Sequence, residues 1–219
     1  IFWWEWAHRQ LGRLIGLTVL LPMIYFTVKN GFWILKKYSI IFFLVCFQGF
    51  IGWYMVSSGL VDRIDVSHYR LSLHLFTAFI ILSIVFWKFL CLTNVKINQV
   101  NIKLSPIKFF LVLLFLQLII GAFVSGMDAG KIYNTWPLMG SSYFPNDSLI
   151  ADFFNINVFD NQSLVQFIHR NLAYLIVILY FYILYLVLKT GNINLRTPIF
   201  VIGISLSLQI FFGILTILS

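Results

Sequence analysis

Six long apolar runs divide the chain, and each is long enough to cross a membrane as a helix. They lie near residues 9–28, 39–57, 70–92, 107–127, 167–189 and 197–219. A hydrocarbon layer of about 30 Å requires about 20 helical residues. The runs are continuously apolar, without the alternation of a barrel strand, and this pattern favours helices. Short linkers join most of the runs, whereas a long polar loop, residues 128–166, separates the fourth run from the fifth.

The composition agrees with this pattern. Of the 219 residues, 61% are hydrophobic and only 10% are charged, whereas soluble domains contain about 25% charged residues. We therefore predict an all-α integral membrane protein, with the lipid bilayer as an expected partner. Cys46 and Cys91 lie inside apolar runs, where a small hydrophobic role is a simpler interpretation than a redox role.

The charges divide between the two ends of the predicted helices. The linkers at 29–38, 88–108 and 189–196 contain nine basic residues and no acid, and all seven acids lie on the other side. By the positive-inside rule the basic side faces the cytoplasm, or the matrix in an organelle. This topology accounts for the net charge of +8 without a nucleic acid partner. Five of the six arginines lie on the outer side, which indicates fixed anionic partners there.

Three histidines, His8, His74 and His169, lie near the starts of helices that descend from this outer side. A small residue follows each of them four positions later, on the same helix face. These small residues are Gly12, Ala78 and Ala173. A flat macrocycle bound through its metal ion to the imidazole needs such a patch, although small residues also favour close helix packing in membranes. The fourth histidine, His68, is interpreted as a solvated residue of an outer loop.

Two sequence patterns repeat at one common offset. His-Arg-x-Leu occurs at His8 and again at His169, and Gln-x-x-x-Gly occurs at Gln48 and again at Gln209, in both cases 161 positions apart. A further Gln-x-x-x-Gly begins at Gln117. The shared offset predicts tandem-duplicated four-helix bundles. A complete protein would then have eight spans, six of which are present here, so we expect the chain to be cut at both ends.

Four stretches of the sequence resemble the heme A synthase family in its proteobacterial and mitochondrial form. They are FWWEWAHRQLGR at 2–13, QGFIGWYMVSSGLVDRIDVSHYRLSLHL at 48–75, GMDAGKIYNTWPLMG at 126–140 and QFIHRNLAYL at 166–175. The resemblance implies oxidation of a methyl group of heme O to the formyl group of heme A for terminal oxidase assembly. It also implies a substrate heme in the N-terminal half and a heme B cofactor in the C-terminal half.

The same resemblance implies roles for individual residues. His8 and His74 match the histidine pair of the substrate half, His169 matches the first histidine of the heme B half, and Glu5 matches the glutamate of a Glu-x-x-His motif. The C-terminal half has Gln166 in the place of Glu5. Because an amide cannot take a proton, this difference favours the N-terminal half as the catalytic one, although Glu5 could also act only as a favourable charge at a helix start.

Three arginines are candidates for the heme propionates, as bidentate partners of carboxylates. They are Arg9, Arg70 and Arg170. Pairing of these arginines with the nearby Asp62 and Asp65 remains an alternative.

The expected organisation has two half-bundles around an inner linker. Residues 1–92 form the N-terminal half with the substrate heme, 93–106 the linker, and 107–219 the C-terminal half with heme B and the outer loop 128–166. We expect a multi-pass protein of the bacterial inner membrane, or of the mitochondrial inner membrane, with its heme sites toward the outer side. The resemblance also implies a heme O synthase as substrate donor and an electron-transfer partner that the sequence does not identify.

Two other classes of protein share some of these features. A di-heme membrane electron-transfer cytochrome would use the same histidines and arginines and would leave its porphyrin unchanged. It differs in having no need for Glu5. A small-solute transporter built from repeats would need helices broken near mid-membrane, and Pro22 is the only proline well inside a predicted span.

Overall fold

A computed structural model describes residues 2–59, 66–93 and 102–218, and every long element in these ranges is an α-helix. The helices are α1 (Phe2–Asn30), α2 (Trp33–Gly59), α3 (His68–Leu92), α4 (Leu104–Gly126), α5 (Gln162–Lys189) and α6 (Ile193–Leu218). Each contains a segment long and apolar enough to cross a membrane. The predicted all-α, multi-pass membrane class is therefore confirmed.

The helices begin earlier than the apolar runs that predicted them. α1 starts at Phe2, so the ionisable residues from Glu5 to Arg13 all lie within the helix. α5 starts at Gln162, inside the predicted loop 128–166, and the Asn161 side chain caps it by accepting from the Leu164 amide at 3.1 Å. The predicted loop was therefore too long at its C-terminal end. An apolar run marks the hydrocarbon layer, whereas backbone hydrogen bonding continues the helix through polar residues beyond it.

The chain divides into two compact units. The first contains Ile1–Val66 and Leu73–Val95, and the second contains Ser67–Ser72 and Lys96–Ser219. In the first unit α1 packs along α2. In the second unit α5 packs along α4 and also contacts α6. The first turn of α3, from His68 to Ser72, belongs to the second unit.

The second unit has a continuous apolar core between its three helices. Phe110 of α4, Ile176 and Tyr180 of α5, and Ile199 of α6 are among its buried residues. The Tyr180 hydroxyl donates to the Ile199 carbonyl at 3.1 Å, and any side chain at Gly203 would collide with that hydroxyl. A residue without a side chain thus permits the close helix contact that is common in membrane proteins.

The α4–α5 loop, residues 127–161, is folded onto the second unit. It contains three short 3-10 helices at Ala129–Lys131, Ile150–Phe154 and Val158–Asp160. Asp147 holds the loop to α5 by accepting hydrogen bonds from the Ser163 hydroxyl at 2.6 Å and from the Tyr133 hydroxyl at 3.0 Å. The loop therefore lies over the first turns of α5, where a candidate histidine is located.

Candidate functional site

His8 on α1 and His74 on α3 face each other within the first unit. Their ring centroids are 6.3 Å apart, with 63° between the ring planes. A bond from imidazole nitrogen to a metal ion is about 2.0 Å long, so two rings on one ion have their bonded nitrogens about 4 Å apart and their centroids about 6 Å apart. The observed separation therefore fits a single metal ion held between the two histidines.

Gln48 on α2 holds the ring of His74 from the side. Its amide nitrogen donates to the His74 backbone carbonyl at 2.8 Å and lies 3.2 Å from the ring nitrogen Nδ1. One turn further along α2, a Cβ placed on Gly52 would lie 3.0 Å from Cε1 of His74. Gln48 and Gly52 therefore form one surface against which the imidazole rests.

The second unit contains the same arrangement around His169. The Gln117 amide nitrogen on α4 lies 3.2 Å from the His169 ring nitrogen Nε2 and donates to the His169 backbone carbonyl at 3.3 Å. A Cβ placed on Gly121 would lie 3.2 Å from Cε1 of the same ring. The Gln-x-x-x-Gly pattern, which the sequence presented only as a repeat marker, is thus a histidine-binding surface in both units.

The small residues that follow the histidines differ in their surroundings. A Cβ placed on Gly12 of α1 would meet no described atom within 4 Å, so the helix face one turn beyond His8 is open. Ala78 and Ala173 are half-buried. An open, side-chain-free face beside His8 leaves space for a flat ligand.

The α4–α5 loop covers the polar residues on either side of His169. Gln166 is 1% exposed and its amide nitrogen donates to the Tyr133 carbonyl at 3.0 Å. Arg170 is 6% exposed, and its two terminal nitrogens donate to three loop carbonyls at 2.9 to 3.3 Å. Those carbonyls belong to Tyr133, Thr135 and Leu138. Arg170 therefore fastens the loop to α5.

The residues of α1 that correspond to Gln166 and Arg170 are exposed. The side chains of Glu5 and Arg9 are 61% and 58% exposed, and their charged groups are 3.7 Å apart. Arg9 also donates from Nε to the Glu5 backbone carbonyl at 3.3 Å. An exposed ion pair of this kind contributes only about 0–1 kcal/mol, so both side chains can turn toward a ligand at little cost.

Arg70 lies in the first turn of α3 and is half-buried. Its suggested alternative partners, Asp62 and Asp65, lie outside the described residues, as do Arg63 and Lys96.

His68 does not lie in a solvated loop, and that interpretation was wrong. It begins α3, and its side chain is only 15% exposed. Its ring packs edge-on against Phe123 at a centroid distance of 5.1 Å, and its Nε2 lies 3.4 Å from the Asp160 carboxylate. Asp160 is far from His68 in sequence, so no local pattern could have revealed the contact.

The loop carboxylate Asp147 has an altered affinity for protons. Burial alone would raise its pKa, but the hydrogen bonds from Ser163 and Tyr133 outweigh burial and hold the pKa below its usual value. Burial and the neighbouring Asp147 carboxylate raise the pKa of the Tyr133 hydroxyl. Near neutral pH the pair is therefore an ionised acceptor and a protonated donor, which is the state that holds the loop in place.

These observations define a helical, multi-pass membrane protein in which two histidines of one unit face each other. The chain belongs to the cytochrome oxidase assembly protein family, whose model matches residues 1–219. It is 44% identical to the heme A synthase of Pelagibacter ubique over all of this chain and 65% of that relative. It is 40% identical to the heme A synthase of Maricaulis maris over all of this chain and 65% of that relative.

A third relative, the heme A synthase of Wolbachia pipientis, is 40% identical over 98% of this chain and 61% of its own length. The resemblance found in the sequence is thereby confirmed. The chain spans a little under two thirds of the length of these curated relatives. No solved structure matches it.

Proposed function

We propose that this chain carries the substrate site of a heme A synthase, which oxidises a methyl group of heme O to the formyl group of heme A for terminal oxidase assembly. The observation that carries the proposal is the His8–His74 pair, whose ring separation of 6.3 Å suits one metal ion. The relatives named heme A synthase support heme iron as that metal ion.

His8 and His74 would hold the substrate heme, and the open face at Gly12 would leave space beside it. Arg9 is the nearest candidate partner for a propionate on α1, because its exposed guanidinium can leave Glu5 at little cost. Arg70, near the start of α3, is the second candidate. Arg170 can join a propionate only by giving up loop carbonyls or through Nε, which has no hydrogen-bond partner among the described residues.

Glu5 is proposed as the proton acceptor of the reaction. Conversion of a methyl group to an aldehyde takes two successive two-electron oxidations, through an alcohol and a hydrated aldehyde. The hydrated aldehyde then loses water, and one of its hydroxyl groups must give up a proton as the carbonyl forms. Glu5 lies three residues before His8, which places its carboxylate on the same side of α1 as the metal ligand.

His169 is proposed as a residue that would hold a resident heme B, which would supply electron transfer when bound. The donor set fits this group, because His169 has a buried ring nitrogen without a hydrogen-bond partner among the described residues. Gln117 orients the ring, and the α4–α5 loop keeps water from the start of α5.

The remaining proposals concern the location of the protein and its partners. The excess of lysine on one side supports a location of the heme sites toward the outer face of a bacterial or mitochondrial inner membrane. A heme O synthase would supply the substrate, and a separate electron-transfer protein would accept the electrons removed from it.

The proposal is tested by extracting hemes from the protein after co-expression with a source of heme O. We expect mass spectrometry to find heme A together with its alcohol precursor. A folded, heme-loaded protein that returns only unaltered heme O would contradict the proposal. It would instead support the di-heme electron-transfer cytochrome, which needs the same histidines and changes no porphyrin.

A further inference from the structure

We propose that Gln48 and Gln117 are positioning residues that set the ring orientation and the hydrogen-bonded nitrogen of His74 and His169. Each glutamine would leave only the other ring nitrogen free to bind iron, which is Nε2 in His74 and Nδ1 in His169. The inference rests on the proposed function for the identity of the bound group, and on the geometry alone for the role of the glutamines.

The same contacts occur twice, on different pairs of helices. In each unit the glutamine amide nitrogen lies 3.2 Å from a histidine ring nitrogen, Nδ1 in His74 and Nε2 in His169, and also donates to the backbone carbonyl of that histidine. In each unit the glycine four residues later comes close to Cε1 of the same ring. The two units therefore share the contact of glutamine and glycine with a histidine, although the two rings turn different nitrogens toward the glutamine.

The chemistry of a metal-bound histidine explains why an amide is suited to this position. A neutral imidazole has one nitrogen that carries hydrogen and one that does not. Metal ions bind the bare nitrogen, and the other nitrogen must then donate its hydrogen to an acceptor. In the present arrangement, however, the amide of Gln48 or Gln117 offers a donor to the ring.

The glutamines also contain the acceptor that is needed. The side-chain oxygens of Gln48 and Gln117 are both buried and have no hydrogen-bond partner among the described residues. Rotation of the amide by half a turn exchanges its oxygen and nitrogen, so the oxygen can accept from the ring when iron occupies the opposite nitrogen. This exchange gives up the donation from the amide to the histidine backbone carbonyl, so the glutamine oxygen must move away from that carbonyl, which keeps its own helical hydrogen bond. An amide can therefore serve both the ligand-free ring and the metal-bound ring.

The glycines keep the ring in contact with the glutamine helix. A methyl group on Gly52 would lie 3.0 Å from Cε1 of His74, which is closer than ordinary van der Waals contact. Gly52→Ala should therefore push the imidazole away from α2 and out of line with His8. Gly49→Ala on the same helix is the matched control, because a Cβ there would meet nothing within 4 Å.

The test uses the protein purified from membranes with both hemes bound, and compares Gln48→Met and Gln48→Glu with the parent. Methionine keeps the volume and removes the acceptor, whereas glutamate is a stronger acceptor. We expect Gln48→Met to weaken retention of the N-terminal heme by about 10- to 100-fold. The midpoint potential of the N-terminal heme should rise in Gln48→Met and fall in Gln48→Glu. A stronger hydrogen-bond acceptor makes the His74 imidazole more basic, and a more basic ligand favours ferric iron. The potential of the other heme should not move.

Equal heme retention and an unchanged N-terminal potential in Gln48→Met would overturn the inference, as would shifts in the opposite order. Gln48→Met remains informative if the glutamate variant fails to fold, because a neutral apolar residue is tolerated within a span. His74→Ala distinguishes failure of the inference about the glutamines from failure of the proposed function. Loss of the heme in His74→Ala with no effect in Gln48→Met rejects only the glutamine role, whereas an unaffected heme in His74→Ala rejects the site itself.

Discussion

The N-terminal ends of α1 and α5 carry the same His-Arg pair in opposite surroundings. On α5 the residues beside His169 are buried beneath the α4–α5 loop, and Arg170 donates to three of its carbonyls. On α1 the residues beside His8 are exposed, and Arg9 contacts only Glu5 among the interactions of the described residues. One sequence pattern therefore supports a covered histidine in one unit and an open one in the other.

This difference in exposure explains why α1 has a glutamate, Glu5, at the position where α5 has a glutamine, Gln166. A carboxylate moved from water into a covered site loses several kcal/mol of solvation unless it is paired. The covered end has Gln166, whose amide satisfies the Tyr133 carbonyl without a charge. The open end has Glu5, whose side chain is 61% exposed and lies 3.7 Å from Arg9. The unit with an acidic side chain at this position is thus also the unit whose histidine is exposed.

The largest effect is expected from loss of either histidine of the open site. His8→Ala and His74→Ala should each remove the same heme from the visible spectrum, because in the proposed site the two rings bind one metal ion. The heme bound through His169 should remain and serves as the internal control. If one of the two variants keeps the N-terminal heme with its spectrum and midpoint potential unchanged, the two histidines are not paired ligands.

A smaller effect is expected from removing the arginine of the covered end. Arg170→Ala would remove the charged donor of three loop carbonyls, two of which keep a second donor among the described residues. A hydrogen bond to a charged group contributes about 1.5–3 kcal/mol. We expect the α4–α5 loop to become sensitive to protease, with thermal stability lowered by several degrees. Arg9→Ala should leave that loop as resistant as in the parent. Lys131→Ala, which removes an exposed ion pair within the loop, is the matched control.

Equal protease sensitivity of the loop in Arg170→Ala and Lys131→Ala would show that Arg170 does not fasten it. The comparison between the covered and the open end would then lose its physical basis.

The smallest effect is expected from acid. The pKa of Asp147 lies below its usual value in the folded loop, so the carboxylate stabilises the loop above about pH 4. That contribution is lost as pH falls through the folded pKa, and amide hydrogens of the loop should then exchange faster. In Asp147→Asn this acid-dependent increase should be absent. An equal increase in both proteins would assign the acid sensitivity to another group.

Much of the fold was predictable because the membrane imposes it. Apolar runs of sufficient length give the spans directly, and the common offset of His8 and His169 indicated related helices. The ends of the helices were not predictable to the residue, since a capping contact such as that of Asn161 lies outside the apolar run.

The surroundings of the candidate site were less predictable. Gln48 and Gln117 were visible as a repeated pattern, and the spacing of four residues places each glutamine on the same helix face as its glycine. What the pattern could not show is the histidine on the neighbouring helix. The contacts of Arg170 with the loop and of His68 with Asp160 join distant segments, and only the folded chain brings these together.

The most direct test of the account is the heme product of Glu5→Gln, which gives the open end the amide of the covered end. Asp128→Asn makes the same chemical change at an exposed, ion-paired loop carboxylate and serves as the control. We expect Glu5→Gln to bind heme normally while heme O or its alcohol derivative accumulates in place of heme A. Asp128→Asn should give the parental yield. A normal yield of heme A from well-folded Glu5→Gln would contradict the catalytic role of Glu5 and the functional difference between the two ends.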